Sequence, residues 1–83
     1  MNEQEILQQV RDALAEIKVP GGAEATMETT WQDLDVDSLD LVEVVRILED
    51  RNGIEVVDEK LDGIASVGDA VRLIAEIKEG ATA

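Results

Sequence analysis

Large apolar residues recur at helical spacing in three stretches of the chain, separated by polar and glycine-rich segments. Ile6, Leu7, Val10, Leu14 and Ile17 line one side of a helix predicted from Asn2 to Ile17. Asn2 and Glu5 stand at capping-box spacing at its start, and Pro20-Gly21-Gly22 is expected to stop it. From Val19 to about Val36 the pattern lapses, and Met27, Trp31 and Leu34 are the only large apolar side chains in what reads as a long loop pinned onto the core. A second helix is predicted from Ser38 to about Arg51, with Asp37 as N-cap, Asp40 three residues on, and Asn52-Gly53 as the stop.

Further along, Asp58 to Gly63 fits one helical turn around Leu61, capped by Asp58. The last helix is expected to start at Ser66, whose spacing to Asp69 is again that of a capping box. It would bury Val67, Ala70, Val71, Ile74 and Ile77 and end at Gly80, leaving Gly80 to Ala83 as a frayed tail. No period-two alternation marks a strand, and Ile54 to Val57 is too short to count as one. The fold class is therefore all-α: a four-helix bundle of three long helices and one short, with a long loop between the first and second, in a single domain over residues 1–83.

Composition narrows the chemistry. A domain of 83 residues leaves little room for a large internal active site, and neither histidine nor cysteine is present. The usual metal ligands, the neutral-pH proton shuttle and the thiol nucleophile are thus all missing, and no disulfide framework exists. Apolar runs are too short for a membrane span or a signal sequence, so a cytoplasmic, monomeric protein is expected. With 20 acids against 7 bases the net charge is −13, which repels nucleic acid and anionic membranes and favours partners with basic patches. Hydrophobic content of 45% separates this acidity from that of a disordered chain.

Only two serines occur, and they differ. Ser66 has a sufficient duty as a helix cap. Ser38 follows a better cap, Asp37, and would occupy the first helical position with its hydroxyl idle and outward. A phosphate there would meet unpaired N–H groups and a favourable dipole, opposed by Asp35, Asp37 and Asp40. On a helical wheel Leu41, Val44, Val45 and Leu48 form the core stripe, while Leu39, Val42 and Ile47 lie outside it or at its edge. Asp37, Leu39, Asp40, Val42, Glu43, Arg46 and Glu49 then make a candidate docking surface, an apolar contact with charges that steer a basic partner. From Asp33 to Asp62 there are 11 acids and only 3 bases, Arg46, Arg51 and Lys60.

Asp33-Leu34-Asp35-Val36-Asp37-Ser38-Leu39-Asp40, followed by Val42-Glu43 and Leu48-Glu49, closely resembles the carrier motif of the discrete (type II) acyl carrier proteins. The resemblance extends over nearly the whole chain, including the helix order and the run Ile64-Ala65-Ser66-Val67. It implies that Ser38 carries 4′-phosphopantetheine, transferred from coenzyme A by a magnesium-dependent phosphopantetheinyl transferase. It also implies a carrier that catalyses nothing itself. Acyl intermediates would be held as thioesters and presented to ketosynthase, acyltransferase and other acyl-processing enzymes of fatty acid or polyketide synthesis. Departures from the pattern fall at Thr30 where Phe is frequent, Arg46 where an apolar residue is, Asn52 where an aromatic is, and Val57 where Pro is; Ile54 is a candidate to fill the space left by Asn52. They tilt the reading toward specialised polyketide metabolism.

Three rival readings remain. Asp33, Asp35 and Asp37 match the first three ligand positions of a calcium loop, but Ser38 and Val44 stand where Gly and Glu are required. An acidic helical adaptor would bind basic partners without any covalent modification. A carboxylate enzyme would need a dry cleft that a chain of this size scarcely encloses. Trp31, the one aromatic residue, reads as a loop anchor, and a carried acyl chain would lie between the second and last helices, among Val45, Leu48, Leu61 and Ile74.

Overall fold

An asparagine starts the first helix: the Asn2 Oδ1 accepts the Glu5 N–H at 2.9 Å, satisfying one of the amides that a helix leaves unpaired at its start. The computed structural model describes residues 2–81. Its elements are α1 (Glu3–Glu16), a 3₁₀ turn (Gly22–Glu24), α2 (Ser38–Asn52), α3 (Asp58–Leu61) and α4 (Val67–Ala81). This is the expected arrangement of three long helices and one short, with a long loop after α1.

The helices bury the faces that their spacing marked. Ile6, Leu7, Val10, Ala13 and Leu14 of α1 meet Val44, Val45 and Leu48 of α2 and Val67, Ala70, Val71 and Ile74 of α4 in one core, with no charged or polar residue buried among the described residues. Leu41, assigned to the core from the wheel, and Ile77, assigned from the spacing of the last helix, are only half-buried against it. Apolar area removed from water drives this assembly, at roughly 25 cal/mol per Å².

Two helix ends differ from expectation. Backbone bonds close α1 before Pro20-Gly21-Gly22: Lys18 takes a left-handed φ of 63°, and the Val19 N–H reaches back to the Leu14 carbonyl at 2.9 Å. Gly22 serves packing instead, since a Cβ there would stand 2.5 Å from the Leu14 Cβ. At the other end of the chain α4 runs through Gly80 to Ala81, because i to i−4 bonding continues there and a glycine near a helix end costs only about 1 kcal/mol. The remainder of the predicted tail, residues 82 and 83, lies outside the described residues. The stop of α2 is as read, with Gly53 at φ 63° and its N–H on the Glu49 carbonyl.

The N-cap position of α3 is Val57, not the expected Asp58, which is the first helical residue; no side-chain hydrogen bond comes from Val57, and the turn carries the Lys60 N–H to Val57 carbonyl bond at 3.0 Å. By contrast the box at α4 is complete. Ser66 Oγ accepts the Asp69 N–H at 3.2 Å, and Asp69 Oδ2 accepts the N–H groups of Ser66 and Ala65 at 3.2 and 3.0 Å.

The long loop is stitched to α4 rather than merely laid on it. Thr30 pairs with Ser66 in an isolated antiparallel bridge, and the carbonyls of Thr29 and Met27 accept the N–H groups of Val67 and Gly68 at 2.8 and 2.9 Å. Trp31 is 5% exposed and serves as the loop's aromatic anchor, one position after Thr30. Asn52, in place of an aromatic, donates through Nδ2 to Gln9 Oε1 at 2.7 Å and to the Leu48 carbonyl at 2.8 Å, tying α2 to α1. Ile54 packs half-buried against the core. No helix among the described residues is long and apolar enough to cross a membrane.

Candidate functional site

Asp37 performs the capping that would otherwise fall to its neighbour. Its Oδ1 accepts the Asp40 N–H at 2.9 Å, so Ser38 enters the first helical position with no backbone amide to satisfy. The Ser38 side chain is exposed and makes no hydrogen bond among the described residues. A hydroxyl so placed is accessible and free to be derivatised, and the first turn of α2 favours negative charge beside it.

Ser38 stands at the edge of an open cleft of about 630 Å³. Leu41, Val42 and Arg46 of α2 form one side. Leu61, Asp62 and Ile64, from α3 and the segment after it, form the other, and Trp31 closes the wall. Farther along α2 a smaller cavity of about 230 Å³ shares Val42, Arg46 and Leu61 with it and adds Val45, Glu49 and Val56. The accessible space therefore lies between α2 and α3, not between α2 and α4. Leu48 and Ile74 have no exposed surface to offer it, since both are sealed in the core, whereas Leu61 lines both cavities and Val45 the smaller.

Around Ser38 the predicted docking residues fall into three groups. Leu39 is 78% exposed, the most exposed large apolar side chain described, and Glu43 and Arg46 are exposed on the same helix. Val42 and Asp40 are half-buried. Asp37 and Glu49 carry structural duties: the first caps α2, and the second accepts the Val56 N–H through Oε2 at 2.7 Å, holding the segment between α2 and α3. Sequence spacing shows that Val42 and Arg46 follow Ser38 at helical intervals of four. It carries no signal that Trp31, Asp62 and Ile64 complete the same cleft.

The acids before Ser38 are likewise engaged locally. Thr30 and Asp33 cap one another, the Thr30 N–H on Asp33 Oδ2 at 3.3 Å and the Asp33 N–H on Thr30 Oγ1 at 3.0 Å, and Asp35 adopts a left-handed φ of 57°. Among the described residues no three acidic side chains converge as a metal site would require.

The phosphopantetheine attachment site family matches this chain over residues 8–74, a span that contains Ser38 and the cleft. An acyl carrier protein of Prochlorococcus marinus (strain MIT 9515) is 44% identical over 81 residues, covering 96% of this chain and 100% of that protein. This chain belongs to the acyl carrier protein family. Acyl carrier proteins bear 4′-phosphopantetheine covalently and act as carriers, not catalysts, which accords with a chain that has neither cysteine nor histidine. The residues present fit that group. An unbonded hydroxyl is exposed at the start of α2, and beside it lies a cleft lined by both apolar and polar side chains.

Proposed function

We propose that Ser38 is the attachment point of the phosphopantetheine arm and that the chain presents acyl groups on it to the enzymes of a discrete polyketide or fatty acid pathway. The observation supporting this is the idle Ser38 hydroxyl, left exposed because Asp37 takes the cap. In the attachment step the serine oxygen loses its proton, released to solvent, and bonds to phosphorus as the bond from that phosphorus to the nucleotide part of coenzyme A breaks, the nucleotide leaving with the electron pair. Bound there, the arm supplies the thiol that the chain itself lacks, on which acyl groups are held as thioesters. The phosphodiester would gain about 0.3–1 kcal/mol from the helix terminus. Asp35, Asp37 and Asp40 oppose it with screened repulsion, so Asp35 and Asp40, which cap nothing among the described residues, are better explained as contacts for basic partners.

The partner surface in this reading is Leu39 and Val42, rimmed by Asp37, Asp40, Glu43, Arg46 and Glu49. Phosphopantetheinyl transferase, ketosynthase and acyltransferase would approach it in the cytoplasm through basic patches. Tethering raises the local concentration of cargo at each of them. Thr30, Arg46, Asn52 and Val57 support a specialised polyketide carrier over a housekeeping fatty-acid carrier, since each replaces a residue typical of the latter.

The test is direct. Apo protein is incubated with coenzyme A, magnesium and a broad-specificity phosphopantetheinyl transferase and then weighed. A mass gain equal to the arm, absent from Ser38→Ala, is expected; an unmodified wild type would leave only an acidic adaptor.

A further inference from the structure

We propose that Asn52-Gly53 is a deamidation site that the fold holds shut, that Gln9 of α1 is the residue guarding it, and that its reaction is a one-way modification of the tie between α1 and α2. The inference is independent of Ser38 and of what the chain carries.

An asparagine followed by glycine cyclises readily because no Cβ hinders approach to the glycine nitrogen. The chain has two asparagines, and only Asn52 precedes a glycine. In the reaction the Gly53 nitrogen gives its proton to solvent and attacks Asn52 Cγ. A C–N bond forms to close a five-membered imide, and the side-chain nitrogen leaves as ammonia, taking the electron pair of the broken bond and a proton from water. Water then adds to one of the two imide carbonyls, and the ring nitrogen regains a proton as the ring opens to aspartate or to β-linked isoaspartate. Water is the co-reactant consumed, and no oxidant or reductant enters.

Each requirement of this reaction is denied in the folded chain. Closure needs the side chain to reach forward to the next residue, whereas a helical side chain leans back toward the N-terminus. Asn52, the last residue of α2, leans back: its Nδ2 donates to the Leu48 carbonyl one turn earlier at 2.8 Å and to Gln9 Oε1 at 2.7 Å. The nucleophile is held too, because the Gly53 N–H lies on the Glu49 carbonyl. Asn52 Oδ1 is buried with no hydrogen-bond partner among the described residues, so no donor waits for the negative charge that attack would place on it. The bonds to Leu48 and Glu49 belong to the last turn of α2 and are lost together when it frays. Gln9 holds the amide from another helix, 43 positions away, and so resists that fraying.

The product cannot rebuild what is lost. Deamidation replaces Nδ2, a donor, with a carboxylate oxygen. Gln9 can turn its own amide to donate, but the Leu48 carbonyl only accepts, and it would face a charge in a half-buried position. Isoaspartate, in addition, lengthens the main chain by one atom at the helix end.

The test holds the full-length protein at one mildly alkaline pH, in native buffer and in urea above its unfolding midpoint. Deamidation is read as the mass change of an NH₂-to-OH exchange and located at residue 52 by peptide mapping. Three bonds at roughly fivefold each predict that the folded chain reacts about a hundredfold more slowly than the unfolded one. Gln9→Leu should raise the folded rate roughly fivefold, while Gln9→Glu, which keeps an acceptor for Nδ2, should react like wild type. Gly68→Ala, destabilised far from Asn52, controls for global unfolding and should leave the folded rate unchanged. Asn52→Asp, the product itself, should unfold at lower urea than wild type. Equal rates in the folded and unfolded chain, a comparison that needs no variant to fold, would overturn the proposal. So would a Gln9→Leu rate no higher than that of Gly68→Ala, or an Asn52→Asp variant as stable as wild type.

Discussion

The Asp37 carboxylate accepts the Asp40 amide at 2.9 Å, and this bond is what leaves the intervening Ser38 without structural work. Removing the cap should cost about 1 kcal/mol. Asp37→Ala is expected to lower the urea midpoint, read by Trp31 fluorescence, while Asp37→Ser retains most of the stability. An alanine variant as stable as wild type would show that the cap contributes nothing.

Gly68 presents a different kind of constraint. A Cβ at this position would stand 2.5 Å from the Met27 carbonyl oxygen, a backbone atom that itself accepts the Gly68 N–H. Gly68→Ala should therefore destabilise by about 1–3 kcal/mol, despite the helical advantage of alanine. Amide exchange at Val67 and Gly68 should accelerate more than exchange in the middle of α1. A neutral or stabilising outcome would mean that the loop yields freely.

Asp69 predicts a pH dependence. The Ala65 N–H, foremost, and then the Arg72 guanidinium and Ser66 hold its carboxyl below the ordinary aspartate value. Its contribution is thus fully present above that ordinary value and is lost as pH falls through the lowered one. Asp69→Asn should melt below wild type at neutral pH, and the gap should close under acid, in melts repeated from neutral pH to below the carboxylate range. A gap that stays constant would remove the ionised carboxylate from the account.

Charge imbalance should make the fold respond to salt. Arg51 pairs with Asp12 and Glu16 and Arg72 with Asp69, at exposed or half-exposed positions, and these pairs offset little of a net charge of −13. Screening lengths of about 10 Å at 0.1 M salt reach across many of the remaining acids. Melting temperature should rise with sodium chloride and more steeply with magnesium. Melts insensitive to both would show that repulsion is already relieved.

Much of this was legible beforehand because it is local. Asn2, Asp37 and the Ser66 and Asp69 pair each bond within three or four residues, so their spacing announces the helix starts directly. Val57 at the start of α3 was missed for the converse reason: the turn begins on backbone bonds alone, and Asp58 looked the better cap only by residue type. Gly80 misled similarly, since glycine is a stop only where the chain must turn left-handed, as it does at Gly53.

The sequence by itself determined the periodic faces, the caps and the idleness of Ser38, since each depends on neighbours along one helix. Only the tertiary structure decided where the open space lies, that Trp31 faces it, and that Leu48 and Ile74 are sealed away from it. Those facts depend on how α3 and the long loop lean against α2, through contacts between residues tens of positions apart, and no periodicity within a single element records such distances.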